Sequence, residues 1–355
     1  MAVTLTELGW DDAFAEAFEA LDLRRDAEPA RVAIEFNYLY RLWTGGGELE
    51  ATVSGRLKHR AARRSELPAV GDWVAVTRAG HEKGAIVAVL PRRSAFSRRM
   101  AGTTTVEQVV AANVDVVFLV MGLDGDFSLR RLERYLLLAR ESGAVPVVLL
   151  TKPDLCASAP ARTSEAAAVA GGAPVHVINP RANEGLDRVS SYLPPGRTGA
   201  LLGSSGVGKS TIINRLVGQD LQRTRAVRVS DSKGRHTTTH RELVVLPTGG
   251  LVIDTPGLRE LQLWDVGDAM RHTFDDIEAL GAGCHFTDCR HRGEPRCAVK
   301  AAVASGALDA NRLDSYLKLQ AELALIQSQQ DERGPLEDNR RSRPQRRRVK
   351  PRGPV

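Results

Sequence analysis

Hydrophobic and polar positions follow two different periods in the first hundred or so residues of the chain. Near the N-terminus, Phe14 and Phe18 share one face of a helical repeat, which predicts a short helix within residues 7–24. Between residues 31 and 100, five short β-type runs are separated by segments containing Gly and Pro. Because no long helical pattern interrupts these runs, they predict a small β-barrel. Its expected loops include two basic ones, RLKHRAARR (56–64) and PRRSAFSRR (91–99), which are either solvated or part of an oligonucleotide-binding face.

Beyond residue 105, apolar strands alternate with amphipathic helices. The runs VDVVFLVMG (114–122) and VPVVLL (145–150) flank a helical pattern that ends at Gly143. The alternation continues to the strand TGALLG (198–203) and the helix that follows it. This order of elements predicts a largely parallel, doubly wound α/β sheet.

The C-terminal part of the chain differs in both pattern and charge. Residues 270–325 are helical in pattern apart from one segment rich in Cys and His. Residues 340–355 contain seven Arg, one Lys and no acidic residue, whereas the whole chain has a formal net charge of +6. Such a tail predicts disorder when free and favours contact with nucleic acid, because dense Arg neutralises phosphate charges. The alternative is a tail that only increases solubility.

Composition restricts the class of protein further. Hydrophobic residues make up 43% of the chain and charged residues 26%, as in globular proteins. No apolar run is long enough to cross a membrane, and the N-terminus has no signal-peptide pattern, so we expect a cytoplasmic protein with no membrane partner. Three of the four cysteines lie in one short segment, which indicates a metal site rather than a disulfide framework.

The motif GSSGVGKS satisfies the phosphate-loop pattern G-x-x-x-x-G-K-[ST] between a predicted strand and a predicted helix. Its backbone N–H groups are expected to surround phosphates, while Lys209 reaches the β- and γ-phosphates as a catalytic group and Ser210 binds Mg²⁺. The predicted nucleotide contacts are Gly203, Ser204, Ser205, Gly206, Val207, Gly208, Lys209, Ser210 and Thr211.

A second motif, DTPG (254–257), ends another apolar strand. An Asp in this position provides the second protein contact to Mg²⁺, so we assign Asp254 to the metal and to GTP. Gly257 is expected to donate its backbone N–H to the γ-phosphate.

The polar segment SKGRHTTTHREL (232–243) lies between the two motifs. We expect Thr238 or Thr239 to complete the Mg²⁺ coordination, with Thr239 favoured as the catalytic one because it lies next to the following strand. His236 is either an ordinary surface residue or the catalytic group that positions the attacking water. Leu258 stands where many GTPases carry a water-orienting Gln, so hydrolysis is expected to be slow without help.

A guanine-reading pattern, TKPD, precedes the phosphate loop instead of following it. In such a loop the Asp accepts hydrogen bonds from guanine, and the Lys lies along the base. None of the three lysines after DTPG is followed two residues later by Asp, so the usual place holds no such loop. Either guanine is not selected, or the domain is circularly permuted with its joint at PPGR (194–197). The predicted base contacts are Thr151, Lys152, Pro153 and Asp154.

The motif order, GRHTTT, DTPGL and the Cys/His segment together resemble the ribosome small-subunit-dependent GTPase A family of bacteria. The resemblance covers nearly the whole chain. It implies an OB-fold barrel, GTP hydrolysis to GDP and phosphate stimulated by the small (30S) ribosomal subunit, contact with its 16S rRNA, and a role in late subunit maturation. One departure is the second base loop, INPRANEG, which leaves Asn179 open as a ligand.

The segment CHFTDCRHRGEPRC (284–297) carries enough thiolates and imidazoles for a tetrahedral Zn²⁺ site. His285 is a competing ligand, but it adjoins Cys284, and immediate neighbours rarely point at one ion. The alternative is free thiols or one disulfide, neither of which suits a reducing cytosol. We expect one structural Zn²⁺ that fixes Arg290, Arg292 and Arg296 for contact with RNA phosphates. The ligands that match the family's zinc site are Cys284, Cys289, His291 and Cys297.

The expected architecture is therefore multidomain. In chain order it comprises an N-terminal helical extension (1–30), an OB-fold β-barrel (31–103), a circularly permuted α/β P-loop GTPase domain (104–268), an α-helical zinc-binding domain (269–325) and a basic tail (326–355). The leading hypothesis is a monomeric GTPase that binds Mg²⁺ with GTP. The alternatives are an RNA-binding assembly chaperone with a structural or only regulatory nucleotide, and an ATP-using P-loop enzyme in which TKPD plays no part.

Overall fold

The computed structural model describes residues 3–23, 26–36, 38–99, 107–218, 241–254, 270 and 273–331. These residues divide into an N-terminal unit that ends at Thr273 and a C-terminal unit that begins at Phe274. The expectations for the segment 232–240, for Gly257 and Leu258, and for the Arg-rich tail lie outside the described residues.

The strands and helices of the described residues follow in chain order. The strands are β1 (Ala27–Phe36), β2 (Leu39–Thr44), β3 (Gly47–Val53), β4 (Trp73–Arg78), β5 (Lys83–Val89), β6 (Ala95–Arg99), β7 (Glu107–Ala112), β8 (Val116–Gly122), β9 (Val145–Thr151), β10 (Val175–Val177), β11 (Thr198–Leu202), β12 (Arg241–Val245) and β13 (Leu251–Asp254). The helices are α1 (Asp12–Glu19), α2 (Gly55–Arg60), α3 (Leu129–Ser142), α4 (Ala159–Val169), α5 (Leu186–Ser191), α6 (Lys209–Val217), α7 (Asp275–Gly281), α8 (Ala298–Ala304) and α9 (Ala310–Asp331).

The first five strands form the predicted barrel. They neighbour one another in the order β1-β2-β3-β5-β4, and β4 pairs back with β1 to close it. All of these pairs are antiparallel except β3 with β5. Alternate inward positions fill the interior, since Val32, Leu42, Leu49, Val74 and Ile86 are buried together.

The α/β part has the strand order β10-β9-β8-β11-β13-β12. Its strands are parallel except β12, which pairs antiparallel with β13. β12 also pairs with β1 of the barrel, through Ile34 opposite Glu242 and Glu35 opposite Arg241. Within the described residues, the barrel and the α/β sheet are therefore one continuous hydrogen-bonded sheet of eleven strands.

Two basic segments that the sequence indicates as barrel loops are regular structure instead. Most of residues 56–64 lie in α2. Ser54 caps the N-terminus of this helix by accepting a hydrogen bond from the backbone N–H of Leu57. Residues 91–99 run into β6, which pairs with β7. The pattern misses β6 because this strand has only five residues, AFSRR, in which apolar and polar positions do not alternate.

The N-terminal segment is fixed to the rest of its unit by aromatic and ionic contacts. Asp11 caps α1 by accepting from the backbone N–H of Phe14, and it also receives two hydrogen bonds from Arg93. The Arg93 guanidinium lies 3.9 Å from the centre of the Phe14 ring. Trp10 packs edge-on against Trp73 of the barrel, with ring centres 4.7 Å apart.

Arg31 is a fully buried cation where the N-terminal segment, the barrel and the α/β sheet meet. It donates to the carbonyl oxygens of Leu8, Gly71 (3.3 Å) and Asn113 (3.2 Å), and to the hydroxyl of Thr198 (2.8 Å). Burial lowers the pKa of Arg31 to about 10, so the side chain stays charged at neutral pH. Because Thr198 begins the strand that leads to the phosphate loop, Arg31 ties that strand to the barrel.

The described residues of the C-terminal unit form α7, α8 and α9, with the Cys/His segment between α7 and α8. Its small core contains Phe274 and Tyr316, whose ring centres are 5.4 Å apart. Arg312 donates to Asp276 at 2.7 Å, and the Tyr316 hydroxyl donates to Glu278 at 2.9 Å. Among the described helices of both units, none combines the length and the hydropathy needed to cross a bilayer.

Candidate functional site

The predicted nucleotide contacts converge at one edge of the α/β sheet. Because β8, β9, β11 and β13 are parallel, their carboxyl ends lie side by side. Thr151 ends β9, Gly203 follows β11, and Asp254 ends β13. Ligands of open α/β sheets bind at this edge, so the inverted motif order in sequence becomes an ordinary arrangement in space.

The phosphate loop connects β11 to α6, and its backbone runs very close to the neighbouring strand β8. A Cβ on Gly203 would lie 2.2 Å from the carbonyl oxygen of Val120 in β8, so a side chain does not fit there. Gly208 has a φ of +106°, a backbone conformation that favours glycine, and α6 starts at the next residue. The loop therefore delivers its backbone N–H groups and the helix N-terminus to one place, as anion binding requires.

Lys209 curls back over the phosphate loop. Its ammonium donates to the carbonyl oxygens of Gly203 at 2.7 Å and Ser204 at 2.6 Å. The positive charge is thus held where the loop curves, which is the place that phosphate oxygens occupy in phosphate loops. Ser210 lies in the first turn of the same helix and is exposed, as a Mg²⁺ ligand must be.

Thr151 connects the predicted guanine loop to the phosphate loop. Its side chain is buried, and its hydroxyl donates to the carbonyl oxygen of Val207 at 2.7 Å. The two residues are 56 positions apart in sequence. This bond makes the base loop and the phosphate loop parts of a single pocket, and it gives Thr151 a positioning role.

Lys152 adopts a left-handed backbone conformation, with φ at +59°. Its ammonium donates to Asp124 at 2.6 Å, and this bond holds the pKa of Asp124 below its usual range. Asp124 belongs to the loop after β8, and the carbonyl oxygens of Leu123 and Asp124 accept hydrogen bonds from Arg162 of α4. The Lys of the TKPD motif is therefore oriented by a neighbouring loop.

Asp154 is exposed in the short 3₁₀ turn that follows Lys152. Its carboxylate accepts a hydrogen bond of 3.2 Å from the side-chain amide of Asn179. The loop after Asn179 is in turn held by Arg215 of α6, which donates to the carbonyl oxygens of Pro180 and Arg181 at 3.3 Å. The residue that the sequence leaves open as a base ligand thus contacts the carboxylate expected to read the base.

The predicted metal ligands of the C-terminal unit form a compact cluster. One ligand atom from each of Cys284, Cys289, His291 and Cys297 lies within 4.8 Å of all the others. His291 Nδ1 is 3.3 Å from Cys297 Sγ and 3.6 Å from Cys284 Sγ, and the Sγ atoms of Cys284 and Cys297 are 3.8 Å apart. The competing His285 is not part of this group.

The separations in the cluster fit a tetrahedral zinc ion. Zn–S bonds near 2.3 Å and Zn–N bonds near 2.0 Å place tetrahedral ligands about 3.8 Å apart for two sulfurs and about 3.5 Å for sulfur and nitrogen. Both values agree with the separations among Cys284, His291 and Cys297. The Sγ atoms of Cys284 and Cys297, 3.8 Å apart, are too far from each other for a disulfide bond. Four protein ligands would leave no open position on a bound ion, as in structural zinc sites.

Backbone geometry shapes the segment around the cluster. His291 and Arg296 both have positive φ values, +59° and +56°. Between them, the Glu294 carboxylate accepts from the backbone N–H groups of Arg290, Arg292 and Gly293. Hydrogen bonds from backbone N–H groups, its own and that of Gly293 foremost, lower the pKa of Glu294 to about 2. Glu294 therefore organises the turn that brings His291 and Cys297 together.

Sequence reasoning misses the residues that orient these groups. Asp124, Arg162 and Arg215 hold the base loops, yet none belongs to a recognised motif. Asp124 has the clearest signal, because an acid directly after an apolar strand lies at the ligand-binding edge of a parallel sheet. The two Arg residues donate to backbone carbonyls, which no sequence pattern reveals.

Comparison with known proteins identifies the family. The family model described as RsgA GTPase matches residues 89–264. A protein of Opitutus terrae named small ribosomal subunit biogenesis GTPase RsgA is 52% identical over 332 residues, covering 91% of this chain and 90% of that protein. The chain belongs to the RsgA GTPase family. An RsgA protein of Syntrophotalea carbinolica is 43% identical over 330 residues, with 91% and 90% covered. Membership of the RsgA family makes the protein a GTP-hydrolysing enzyme.

Solved structures of similar proteins agree with this assignment. The crystal structure of YjeQ from Thermotoga maritima matches with a TM-score of 0.62 at 26% identity and covers 84% of this chain and 99% of that chain. YloQ, described as a circularly permuted GTPase, matches with a TM-score of 0.59 at 24% identity over 85% and 97%. The likeness to YloQ concerns the fold alone. The predicted permutation within the RsgA fold is confirmed.

Proposed function

We propose that the protein hydrolyses GTP while bound to the small ribosomal subunit, contacts its rRNA, and acts in the late biogenesis of that subunit. The hydrogen bond from the Thr151 hydroxyl to the Val207 carbonyl carries the nucleotide part, since it joins a guanine-reading loop and a phosphate loop in one pocket. The names of the RsgA relatives support the ribosomal part. The proposed place of action is the cytoplasm, where bacterial subunits are assembled.

Guanine selection is assigned to Asp154. Its carboxylate accepts from the guanine N1–H and N2 amine, while Lys152 lies along the base. Asn179 orients Asp154, because its amide donates to one carboxylate oxygen and leaves the other free of that bond. This assignment gives Asn179 a positioning role in place of direct base contact.

Phosphate and Mg²⁺ binding is assigned to the loop from Gly203 to Thr211 with Asp254. When bound, Mg²⁺ would neutralise charge that develops on the transferring phosphoryl group. Ser210 and Asp254 would hold it from α6 and from the end of β13. Thr238 or Thr239 is proposed as a further ligand and His236 as the group that positions water.

The Cys/His cluster is proposed to hold one structural Zn²⁺. The donor set and the spacing of its atoms both support zinc, and the closed coordination leaves no position for a reacting group. Bound zinc would hold in place the turn that carries Arg290, Arg292 and Arg296, which are suited to RNA phosphates.

A patch on the barrel is proposed as an rRNA contact. Phe36, Tyr38 and Leu39 are exposed by 51%, 48% and 42% at the turn between β1 and β2. The Arg64 guanidinium lies 4.6 Å from the centre of the Tyr38 ring, and the Lys58 ammonium lies 5.7 Å from it. We call these five residues the aromatic–basic patch. Exposed aromatic rings beside cations suit unpaired bases and phosphates together.

The test of this function is GTP hydrolysis measured with and without purified small subunits. We expect slow turnover alone and a clear increase on adding small subunits, with no increase on adding large subunits. A protein that binds small subunits but never turns over GTP would instead be an assembly chaperone with a structural nucleotide. Hydrolysis of ATP as fast as GTP would remove the role assigned to Asp154.

A further inference from the structure

We propose that Glu35 is a positioning residue that couples RNA contact at the aromatic–basic patch to the strand pair that carries Asp254. The inference rests on the proposed function, because it concerns how a bound subunit accelerates hydrolysis. It adds a residue that no nucleotide, metal or RNA motif contains.

Glu35 lies near the end of β1, directly before the turn that carries the patch. Its side chain is only 10% exposed. One carboxylate oxygen is 3.3 Å from Arg64, and the other is 3.7 Å from Arg241. Arg64 belongs to the patch and donates to the Tyr38 hydroxyl. A single carboxylate therefore joins a patch residue to the first residue of β12.

The other side of this contact leads to the nucleotide edge. Glu35 is opposite Arg241 in the ladder between β1 and β12, and Ile34 is opposite Glu242. Glu242 is in turn opposite Asp254 in the ladder between β12 and β13. A shift at the end of β1 is thus passed through two hydrogen-bonded ladders to the Mg²⁺ candidate Asp254.

The charges around Glu35 explain why its ion pairs with Arg64 and Arg241 hold this part of the fold together. Burial raises the pKa of Glu35, while the positive charges of Arg241, Arg64 and Arg98 act in the opposite direction. Burial, followed by the charge of Arg98, lowers the pKa of Arg241. A partly buried carboxylate among guanidinium groups is held only while it stays paired, because breaking such a pair leaves an uncompensated charge.

RNA contact would change that pairing. A phosphate bound at the patch competes with Glu35 for Arg64, since both are anions. Glu35 would then pair more strongly with Arg241 and draw β12 towards the end of β1. This coupling acts on the rate of GTP turnover and not on a binding equilibrium, so it does not require a change in the affinity of the patch for RNA.

The decisive experiment compares E35Q with the wild-type protein and with E28Q. Glu28 is a matched control because it also lies on β1 and also pairs with an Arg, Arg78 at 2.5 Å, but away from β12. For each protein, GTP turnover is measured alone and over a titration of small subunits. The titration separates the maximal stimulated rate from the subunit concentration that gives half of it.

We expect E35Q to keep its basal turnover and its half-saturating subunit concentration within about twofold, and to lose about tenfold of the maximal stimulation, a typical coupling. E28Q should behave as wild type. R241Q should reproduce the loss, and E35Q combined with R241Q should lose no more than either change alone, because both remove one interaction. R241K, which keeps the charge, should recover part of the stimulation.

Three outcomes overturn the inference in different ways. Full stimulation of E35Q refutes the coupling while leaving the proposed function intact. Equal losses of basal and stimulated turnover, with a lower melting temperature, mean that Glu35 is only structural. Absence of stimulation in the wild-type protein refutes the proposed function itself, before any variant is considered.

Discussion

The nucleotide edge and the Cys/His cluster are positioned by different means. The edge stands on parallel strands whose residues are buried on both faces, so its loops begin from fixed points. The cluster lies in a short segment with two positive φ residues and a small helical core beside it. The comparison indicates that the buried core can form the nucleotide edge before nucleotide binds, whereas the Cys/His cluster is expected to need a bound metal ion to keep its shape.

The nucleotide edge and the Cys/His cluster also differ in how their polar groups are satisfied. At the edge, protein groups satisfy one another, as Thr151 does with Val207 and Lys152 with Asp124. In the cluster, Cys297, Cys284 and His291 present soft donor atoms to one point, and thiolates gathered in this way repel one another without a cation. Changes in the two units should therefore have separable consequences.

The largest effect is expected from removing a ligand of the cluster. C297S should abolish zinc binding and unfold the helices of the C-terminal unit, because structural zinc contributes about 10 kcal/mol or more to folding. GTP affinity of the N-terminal unit should be retained. Metal content and circular dichroism measure the first effect, and nucleotide titration the second. C156S is the control, since Cys156 lies outside the cluster. One zinc per chain in C297S would show that Cys297 is no ligand.

The second largest effect concerns guanine selection, and the metal content of the Cys/His cluster should stay unchanged. D154N should weaken GTP binding by about a hundredfold or more, because two hydrogen bonds to a charged group are lost at about 1.5–3 kcal/mol each. Xanthosine triphosphate should bind better than GTP to this variant, since its base offers the complementary pattern. Both affinities are measured by titration. D187N, at an exposed position in α5, should leave them unchanged.

A third change tests Arg31, which lies where the N-terminal segment, the barrel and the α/β sheet meet. R31M should lower the free energy of unfolding by about 3 kcal/mol, because three carbonyl oxygens and one hydroxyl lose a buried charged donor. Zinc content should not change. Denaturant unfolding gives the measurement, and R78M serves for comparison, because its surface ion pair contributes less than about 1 kcal/mol. Equal effects of R31M and R78M would contradict the role of Arg31 as a junction.

The smallest effect should come from Asn179. N179A should reduce GTP affinity by about fivefold, since Asp154 loses one orienting hydrogen bond of about 1 kcal/mol. The melting temperature should stay nearly constant. Calorimetric titration with GTP provides the test, beside N311A in the C-terminal unit as a neutral change. A loss as large as that of D154N would instead indicate that Asn179 contacts the base.

The comparison also explains what the sequence can predict. Contiguous motifs at strand ends, such as the loop from Gly203 and the TKPD loop from Thr151, are predictable because the backbone itself forms the site. The four members of the Cys/His cluster are predictable for a similar reason, since they lie within one short segment. In each case the chemistry depends on neighbours in sequence.

Residues that act across the fold escape such prediction. Asp124 meets Lys152 from another loop, and Arg31 meets Thr198 from the barrel, at a separation of 167 residues. These contacts follow from the permuted sheet and its junction with the barrel, which a local pattern does not encode.

The pairing of β1 with β12 has a consequence for how the chain is made. An open sheet edge presents unpaired N–H and C=O groups that recruit foreign strands and promote aggregation. Here the barrel shields part of the outer edge of β12 through Ile34 and Glu35. The last barrel strand ends at Val89 and β12 begins at Arg241, so the barrel leaves the ribosome first and the shield exists before the strand that needs it. A GTPase domain expressed without its barrel should therefore self-associate.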